Sequence, residues 1–190
     1  MLGLLKPTEG HIRIGGQDLQ DVDPRGIRQT IGAVMQDDQL FAGSIADNLS
    51  FFDADASQEQ IEAAARKAAL HDDIAAMPMG YFGLIGDMGS ALSGGQKQRL
   101  ILVRALYREP SLLFLDEATS HLDVVRERLV NDAVKALNLT KVIVAHRPET
   151  IVSADRVLVM DGGRIVQEIV PPRASAEASP TVPAEQITPA

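Results

Sequence analysis

The 190-residue chain is 45% hydrophobic and carries a formal net charge of −8, so it is long enough for one domain with a sizeable core, and its acidic balance disfavours a general nucleic-acid-binding surface. It has no cysteine, which excludes disulfides, thiolate metal sites and cysteine nucleophiles. Its sequence contains neither a signal-peptide pattern nor an apolar run approaching the roughly 20 residues of a membrane span, so we expect a soluble chain that faces the cytoplasm.

Alternating short strands and helices are predicted over the first 51 residues. In chain order they are the end of a helix over 1–5, a hairpin turning at Gly15-Gly16, a helix from Asp23-Pro24 to Gln29, a strand over 31–35 and a helix over 44–51. The hairpin is indicated by alternating residues around a glycine pair. The first complete helix is indicated by a capping aspartate ahead of a first-turn proline.

A capping box formed by Ser57 and Gln60 opens a further helix. The apolar residues that follow recur at helical spacing, at Ile61, Ala64, Ala65, Ala68 and Ala69. This period predicts an amphipathic helix with one buried face. A loop rich in Met, Pro and Gly is predicted over 77–91.

The second half of the chain alternates helices with strands. In chain order, the sequence predicts a long helix from Ser93 that stops before Pro110, a buried strand over 112–115, a helix from Asp123 to Leu137, a buried strand over 142–145 and a hairpin made by 157–160 and 164–166. Continuous apolar runs of strand length suit a parallel sheet covered on both faces. Residues 171–190, rich in proline and alanine, are predicted to be a disordered tail.

The long helix begins with the sequence Leu92-Ser93-Gly94-Gly95-Gln96. Ser93 and Gln96 have the spacing of a capping box, which by itself needs no ligand. Two glycines in the first turn cost a helix roughly 1 kcal/mol each relative to alanine, so a purely structural helix start is not expected to carry them. Bare N–H groups at the positive end of a helix bind anions, and the Ser93 hydroxyl adds a donor. We therefore expect a phosphate to approach the backbone here.

Polar side chains follow three of the predicted strands. They are Gln36, the pair Asp116-Glu117 and His146. Sheets of α/β proteins place their reactive groups just beyond the carboxyl ends of the strands. Each residue also has a structural interpretation, as a solvated loop residue, a helix cap or a structural histidine. Their joint occurrence with the glycine-containing helix start favours a functional site.

In order and spacing, these motifs resemble the nucleotide-binding domain of ABC transporters. The matching segments are Gln36, LSGGQ at 92–96, LLFLDE at 112–117, SHLD at 120–123 and His146. The resemblance implies an α/β fold with a P-loop NTPase-like (RecA-like) core, incomplete at the N-terminus, and an inserted helical subdomain at about 44–108. It assigns residues 1–170 to the ATP-binding domain and leaves 171–190 as the tail.

The resemblance also implies roles in binding and hydrolysing ATP with Mg²⁺. Asp116 would hold Mg²⁺, and Glu117 would act as general base on the attacking water. Gln36 would approach Mg²⁺ and that water, and His146 would contact the γ-phosphate. The residues that would meet ATP bound to an opposite subunit are Ser93, Gly94, Gly95, Gln96 and, across the dimer interface, Asp123.

Residues 35–53, MQDDQLFAGSIADNLSFFD, resemble the segment of exporter-type subunits that couples to transmembrane helices. With GDMGSALSGGQKQR and DEATSHLD, they are similar to bacteriocin and toxin exporters that carry an N-terminal peptidase domain. The implied function is ATP-powered export of a peptide, bacteriocin or toxin, at the cytoplasmic face of the inner membrane. The implied partners are a second nucleotide-binding domain and a transmembrane domain fused upstream, without nucleic acid.

One element of that family is missing from the sequence. It contains no G-x-x-x-x-G-K-[ST] loop, whose backbone amides cradle the phosphates of ATP. Residues 1–5 align with the end of the helix that such a loop opens, so we expect a C-terminal fragment that alone binds ATP weakly and hydrolyses it negligibly. Two alternatives remain. One is a soluble ABC ATPase acting on DNA or ribosomes, which the acidic balance and residues 43–53 disfavour; the other is a non-catalytic remnant or regulatory module that dimerises with complete subunits.

Overall fold

A computed structural model describes residues 5–86, 92–116, 124–146 and 148–170, and describes only the backbone of 124–129, 148 and 149. These residues form two compact units, one that ends at Ala145 and one that begins at His146. Two residues predicted to belong to the site, Glu117 and Asp123, lie outside the described residues, as does the predicted tail.

The predicted end of a helix over 1–5 lies outside the described residues except for Leu5, whereas the next two elements begin and turn where the sequence predicts. A hairpin pairs β1 (Arg13–Ile14) with β2 (Gln17–Asp18), and the two glycines between them have φ of 58° and 81°, a left-handed backbone that suits glycine. α1 spans Pro24–Gln29, and the Asp23 carboxylate caps it by accepting from the N–H of Arg25 at 3.0 Å. The hairpin and the capped helix are confirmed.

The chain then forms a strand and passes into a group of short elements. In chain order they are β3 (Ile31–Val34), β4 (Gly43–Ser44), α2 (Ile45–Ser50), α3 (Gln58–Lys67), α4 (His71–Ala75), a 3-10 turn (Gly80–Phe82) and β5 (Leu84–Ile85). β4 and β5 pair antiparallel. The predicted capping box of α3 is present, whereas α4 and β5 were not predicted.

The buried face of α3 agrees with its predicted period, with one exception. Ile61, Ala64, Ala65 and Ala68 are buried, but Ala69 is exposed. The helix ends at Lys67, and Ala69 adopts a φ of 50° in the turn that follows. The prediction for Ala69 is therefore wrong, because the helix ends two residues before it.

The remaining elements of the first unit complete a parallel sheet. They are α5 (Gly94–Leu106), β6 (Leu112–Asp116), α6 (Val124–Ala136) and β7 (Thr140–Val144). The three strands lie in the order β3-β6-β7, all parallel. Helices join the strands, as parallel connections require.

The strand ending before His146 departs from the prediction of a buried strand. β7 lies at the edge of the described sheet, and Ile143 and Val144 are 38% and 51% exposed. Only one neighbouring strand covers it among the described residues, so an apolar composition alone does not bury it.

The core of the first unit lies between the sheet and the helices. It contains the consecutive residues Leu100 to Val103 of α5, which is buried on all sides there, together with residues of α2, α3, β6 and α6. α5 packs closely on β3 at Gly32, where an added Cβ would lie 2.6 Å from the carbonyl oxygen of Ala105 and 2.9 Å from Pro110 Cγ. The absence of a side chain at Gly32 is what allows this approach.

The second unit contains α7 (Pro148–Val152), β8 (Val157–Asp161) and β9 (Arg164–Ile169). The two strands form the predicted terminal hairpin, and Arg156 Nε donates to Glu168 Oε1 at 2.8 Å. The fold is α/β, as predicted. In the parts of the chain that the structure describes, no helix has the length and apolarity needed to cross a membrane.

Candidate functional site

The carboxyl edge of the parallel sheet brings together two of the predicted site residues. Val34, the last residue of β3, pairs with Leu115, so Gln36 and Asp116 both lie at this edge. Asp116 is half-buried and Gln36 is exposed. A half-buried carboxylate and an exposed amide at the same sheet edge offer oxygen ligands to a hard cation and hydrogen-bond partners to water.

His146 follows β7 by two residues and is exposed. Asp116 pairs with Val144 across β6 and β7, but His146 begins the second compact unit. The backbone register therefore brings Gln36 and Asp116 together, while the role of His146 stays a prediction. The roles of Glu117 and Asp123 also stay predictions.

The start of α5 has the geometry of both an ordinary capping box and an open anion site. The N–H of Ser93 donates to Gln96 Oε1 at 3.0 Å, and the N–H of Gln96 donates to Ser93 Oγ at 3.3 Å. Gly95 is buried, while Gly94 is exposed, and no atom of the described residues lies within 4 Å of where its Cβ would be. The capping box therefore fixes the helix start, and the space over Gly94 leaves its first-turn backbone accessible to a ligand.

Two cations on α5, Lys97 and Arg104, hold the loop after Gln36 against this helix. Lys97, the residue after LSGGQ, donates from Nζ to Gln39 Oε1 at 2.8 Å. Two helical turns further along α5, Arg104 donates from Nη1 to the carbonyl oxygen of Gln39 at 2.9 Å. Burial lowers the pKa of Arg104, and Asp38 opposes that shift. Sequence reasoning missed these residues, although two cations seven positions apart share one face of a helix.

The segment predicted to couple to a membrane partner exposes an aromatic cluster. Phe51 and Phe52 each meet the ring of Phe41 edge-on, at centroid distances of 5.9 and 6.1 Å, and all three are about half exposed. Clustered exposed aromatic rings are typical of a protein-binding surface.

At the start of α2, hydrogen bonds from the Ser44 hydroxyl and N–H lower the pKa of Asp47.

The oxygen ligands at the sheet edge suit Mg²⁺ that is shared with substrate phosphates better than they suit a metal ion held by protein side chains alone. Within the described ranges, no three His, Asp or Glu side chains converge as metal ligands. Mg²⁺ takes oxygen ligands and is commonly held by one or two carboxylates together with substrate phosphates and water. Asp116, with the Gln36 amide at the same edge, fits that pattern.

Comparison with known proteins identifies sequence and structural relatives of the chain. The sequence profile described as "ABC transporter" matches residues 1–120. Two Escherichia coli proteins are similar over 158 residues. The colicin V secretion/processing ATP-binding protein is 47% identical, and the probable microcin-H47 secretion/processing ATP-binding protein is 46% identical. Each alignment covers 83% of this chain and 23% of the relative, so the chain spans about a quarter of the length of these proteins.

A solved structure is also similar, that of a bacterial Atm1-family ABC exporter with ATP bound. The TM-score is 0.80 with 38% sequence identity, and the match covers 88% of this chain and 30% of the exporter chain. The predicted P-loop NTPase-like core is thereby confirmed.

Proposed function

Because the chain belongs to the ABC transporter family, we propose that it is part of the ATP-binding and ATP-hydrolysing region that powers export across a membrane. The observation that carries the proposal is the shared carboxyl edge of β3 and β6, where Val34 pairs with Leu115, so that Gln36 and Asp116 follow the paired residues at the same edge. The open helix start at Ser93 and Gly94 supports it, because this terminus suits a phosphate.

Each predicted site residue has a defined task in this proposal. Asp116 would hold Mg²⁺, which would supply charge neutralisation at the phosphates. Glu117 accepts the proton of the attacking water, while Gln36 orients that water through its amide. His146 donates a hydrogen bond to the γ-phosphate.

The helix start acts on ATP carried by another subunit. The Ser93 hydroxyl and the N–H groups of Gly94 and Gly95 face its γ-phosphate, with Gln96 holding Ser93 in place through the capping box. Asp123 crosses the dimer interface. A head-to-tail dimer of two nucleotide-binding domains follows from this arrangement, because each helix start supplies half of a site.

The membrane partner and the cargo follow from the relatives. The two Escherichia coli relatives are named for secretion of colicin V and microcin H47, so we propose a peptide, bacteriocin or toxin as cargo. The chain would lie on the cytoplasmic face of the inner membrane, against a transmembrane domain. The exposed rings of Phe41, Phe51 and Phe52 provide an apolar surface for that contact.

The proposal is tested in a hybrid protein. The aligned 158 residues of the colicin V protein are replaced by the matching residues of this chain, and ATP hydrolysis and binding are measured with Mg²⁺. We expect the hybrid to hydrolyse ATP. We expect Glu117→Gln to abolish this hydrolysis and to leave ATP binding intact. Glu109→Gln is the matched control, because Glu109 is an exposed carboxylate paired with Lys67.

Three outcomes would contradict parts of the proposal. Hydrolysis that survives Glu117→Gln removes Glu117 as the base, and a hybrid that does not bind ATP removes the ATPase function. Because the 190 residues contain no G-x-x-x-x-G-K-[ST] loop, measurable turnover by the chain alone would contradict the expected dependence on that loop.

A further inference from the structure

We propose that Arg104 is a positioning residue that fastens the loop after Gln36 to α5, so that this loop and the helix start at Ser93 move as one body. The inference rests on the proposed function, because it concerns how the two phosphate-facing elements of that function are held together. Four contacts of one guanidinium group carry it.

The guanidinium of Arg104 is enclosed by the loop. Nη1 donates to the carbonyl oxygen of Gln39 at 2.9 Å, and Nη2 lies 3.7 Å from Asp38 Oδ2. The group also lies over the rings of Phe41 and Phe51, at 5.7 and 5.5 Å from their centroids. The Arg104 side chain is only 11% exposed, so water competes little for these contacts.

The contact reaches the backbone beside Gln36 through Asp38. The same Oδ2 atom that faces Arg104 accepts a hydrogen bond from the N–H of Met35 at 3.0 Å. Met35 connects β3 to Gln36, so the path runs from α5 through one carboxylate to the residue before Gln36. A second tie, from Lys97 to the side chain of Gln39 at 2.8 Å, begins one residue after LSGGQ.

The far end of the loop is held as firmly. The side chain of Asn48 is fully buried; it accepts from the N–H of Phe41 at 2.8 Å and donates to its carbonyl oxygen at 2.9 Å. Phe51, which lies under the guanidinium, has a φ of 56°, and a bulky residue keeps this left-handed backbone only when its surroundings enforce it. The loop is thus fixed to α5 in the middle and to α2 at its end.

An arginine is required here by geometry as well as by charge. A planar guanidinium can donate to a carbonyl, face a carboxylate and stack on rings at once, whereas an ammonium cannot stack in this way. Lysine at position 104 therefore keeps the charge but loses these contacts of the guanidinium with the loop, which we call the Arg104 clamp. Any shift of α5 relative to the sheet is then no longer transmitted to the loop that carries Gln36.

The clamp is tested on the 190-residue chain with a spin label. The sequence has no cysteine, so Asp37→Cys provides a single labelling position in the exposed turn beside Gln36. Electron paramagnetic resonance then reports the mobility of the loop. We expect Arg104→Lys to raise the mobile fraction of the label at least twofold.

Two further variants complete the test. Arg108→Lys changes an arginine two positions beyond the end of α5 that faces Asp53 at 3.8 Å instead of the loop, and it should leave the label unchanged. Asp38→Asn retains an acceptor for Met35 and removes the charge facing Arg104; it should give an intermediate mobility even where Arg104→Lys folds poorly. A label that stays equally immobile in Arg104→Lys and in Asp38→Asn overturns the clamp, whatever the chain does with ATP.

The positioning role of Arg104 is tested separately, by measuring kcat and KM for ATP hydrolysis in the hybrid protein. Arg104 lies away from the nucleotide-facing residues in this proposal, so Arg104→Lys should lower kcat roughly tenfold at unchanged KM for ATP, within the ~10²-fold that a 1 Å misplacement can cost. Arg108→Lys should change neither constant. An unchanged kcat beside a mobile label overturns the positioning role. Absence of hydrolysis in the hybrid without these substitutions refutes the proposed function and leaves the label result standing.

Discussion

Gly32 on β3 allows α5 to lie close to the sheet, and its replacement by alanine is the sharpest stability test of this packing. The added Cβ of Gly32→Ala would lie 2.6 Å from the carbonyl oxygen of Ala105, 2.9 Å from Pro110 Cγ and 3.0 Å from Leu113 Cδ1. The nearest of these atoms belongs to helix backbone, which cannot rotate away. The helix or the strand must therefore shift.

The size of the effect follows from two opposing terms. Restoring ordinary contact requires a displacement of about 0.8 Å, and overpacking of this kind costs about 1–3 kcal/mol. Alanine also removes conformational freedom from the unfolded chain. This stabilises the folded chain by about 0.4–1 kcal/mol and offsets part of the cost of overpacking. We expect Gly32→Ala to lower the free energy of unfolding by about 1–2 kcal/mol, which corresponds to a fall in Tm of about 2–8 °C for a chain of this length.

The measurement is urea unfolding followed by circular dichroism, with Gly26→Ala as the matched control. Gly26 lies in the middle of α1, where an added Cβ would meet no atom within 4 Å in the part of the chain that the structure describes. Alanine there should raise the free energy of unfolding by up to about 1 kcal/mol. If Gly32→Ala proved as stable as the unsubstituted chain, the close packing of α5 on β3 would be refuted.

Three further predictions separate site from scaffold. Gly94→Ala should raise the free energy of unfolding by up to about 1 kcal/mol and lower ATP hydrolysis by the hybrid at least tenfold, because its methyl group occupies the open approach to the helix start; unchanged hydrolysis would contradict the phosphate site. Asp73→Ala should lower the free energy of unfolding by about 1.5–3 kcal/mol, because it removes the carboxylate that pairs with Arg99. The Arg99 side chain is 7% exposed and lies 2.5 Å from Asp73 Oδ2. A loss below about 0.5 kcal/mol in urea unfolding would argue against this role of the pair. Burial raises the pKa of Tyr81 to about 12 from 10.0, so the unfolded chain releases this proton first and stability falls as pH rises from 10 to about 12. Phenolate absorbance, compared with Tyr81→Phe to subtract Tyr107, should show Tyr81 ionising at that upper end, and ionisation near 10 would contradict its burial.

Local sequence determined the elements whose start is fixed by neighbouring residues. Asp23 caps α1, and the capping boxes at Ser57 and Ser93 open α3 and α5. A cap needs only residues within one turn, so its pattern is visible without knowledge of the fold. The short α4 was missed because it has no side-chain cap and its N-cap is Leu70.

Strand order and burial were decided by the tertiary structure. An apolar run predicts a strand, but the edge position of β7 depends on which neighbours pair with it, and the exposure of Val144 follows from that position. Likewise, Gln36 and Asp116 are 80 residues apart in sequence, and only the parallel register brings them to one edge.

For the candidate site, local patterns in the sequence predict phosphate chemistry, because a glycine-containing helix start and polar residues after apolar strands are visible without knowledge of the fold. The tertiary structure decided how these parts are joined. Arg104 reaches Gln39 across 65 residues, and no local pattern encodes such a contact, because its energy depends on a buried pocket that forms only when α5 packs against the loop.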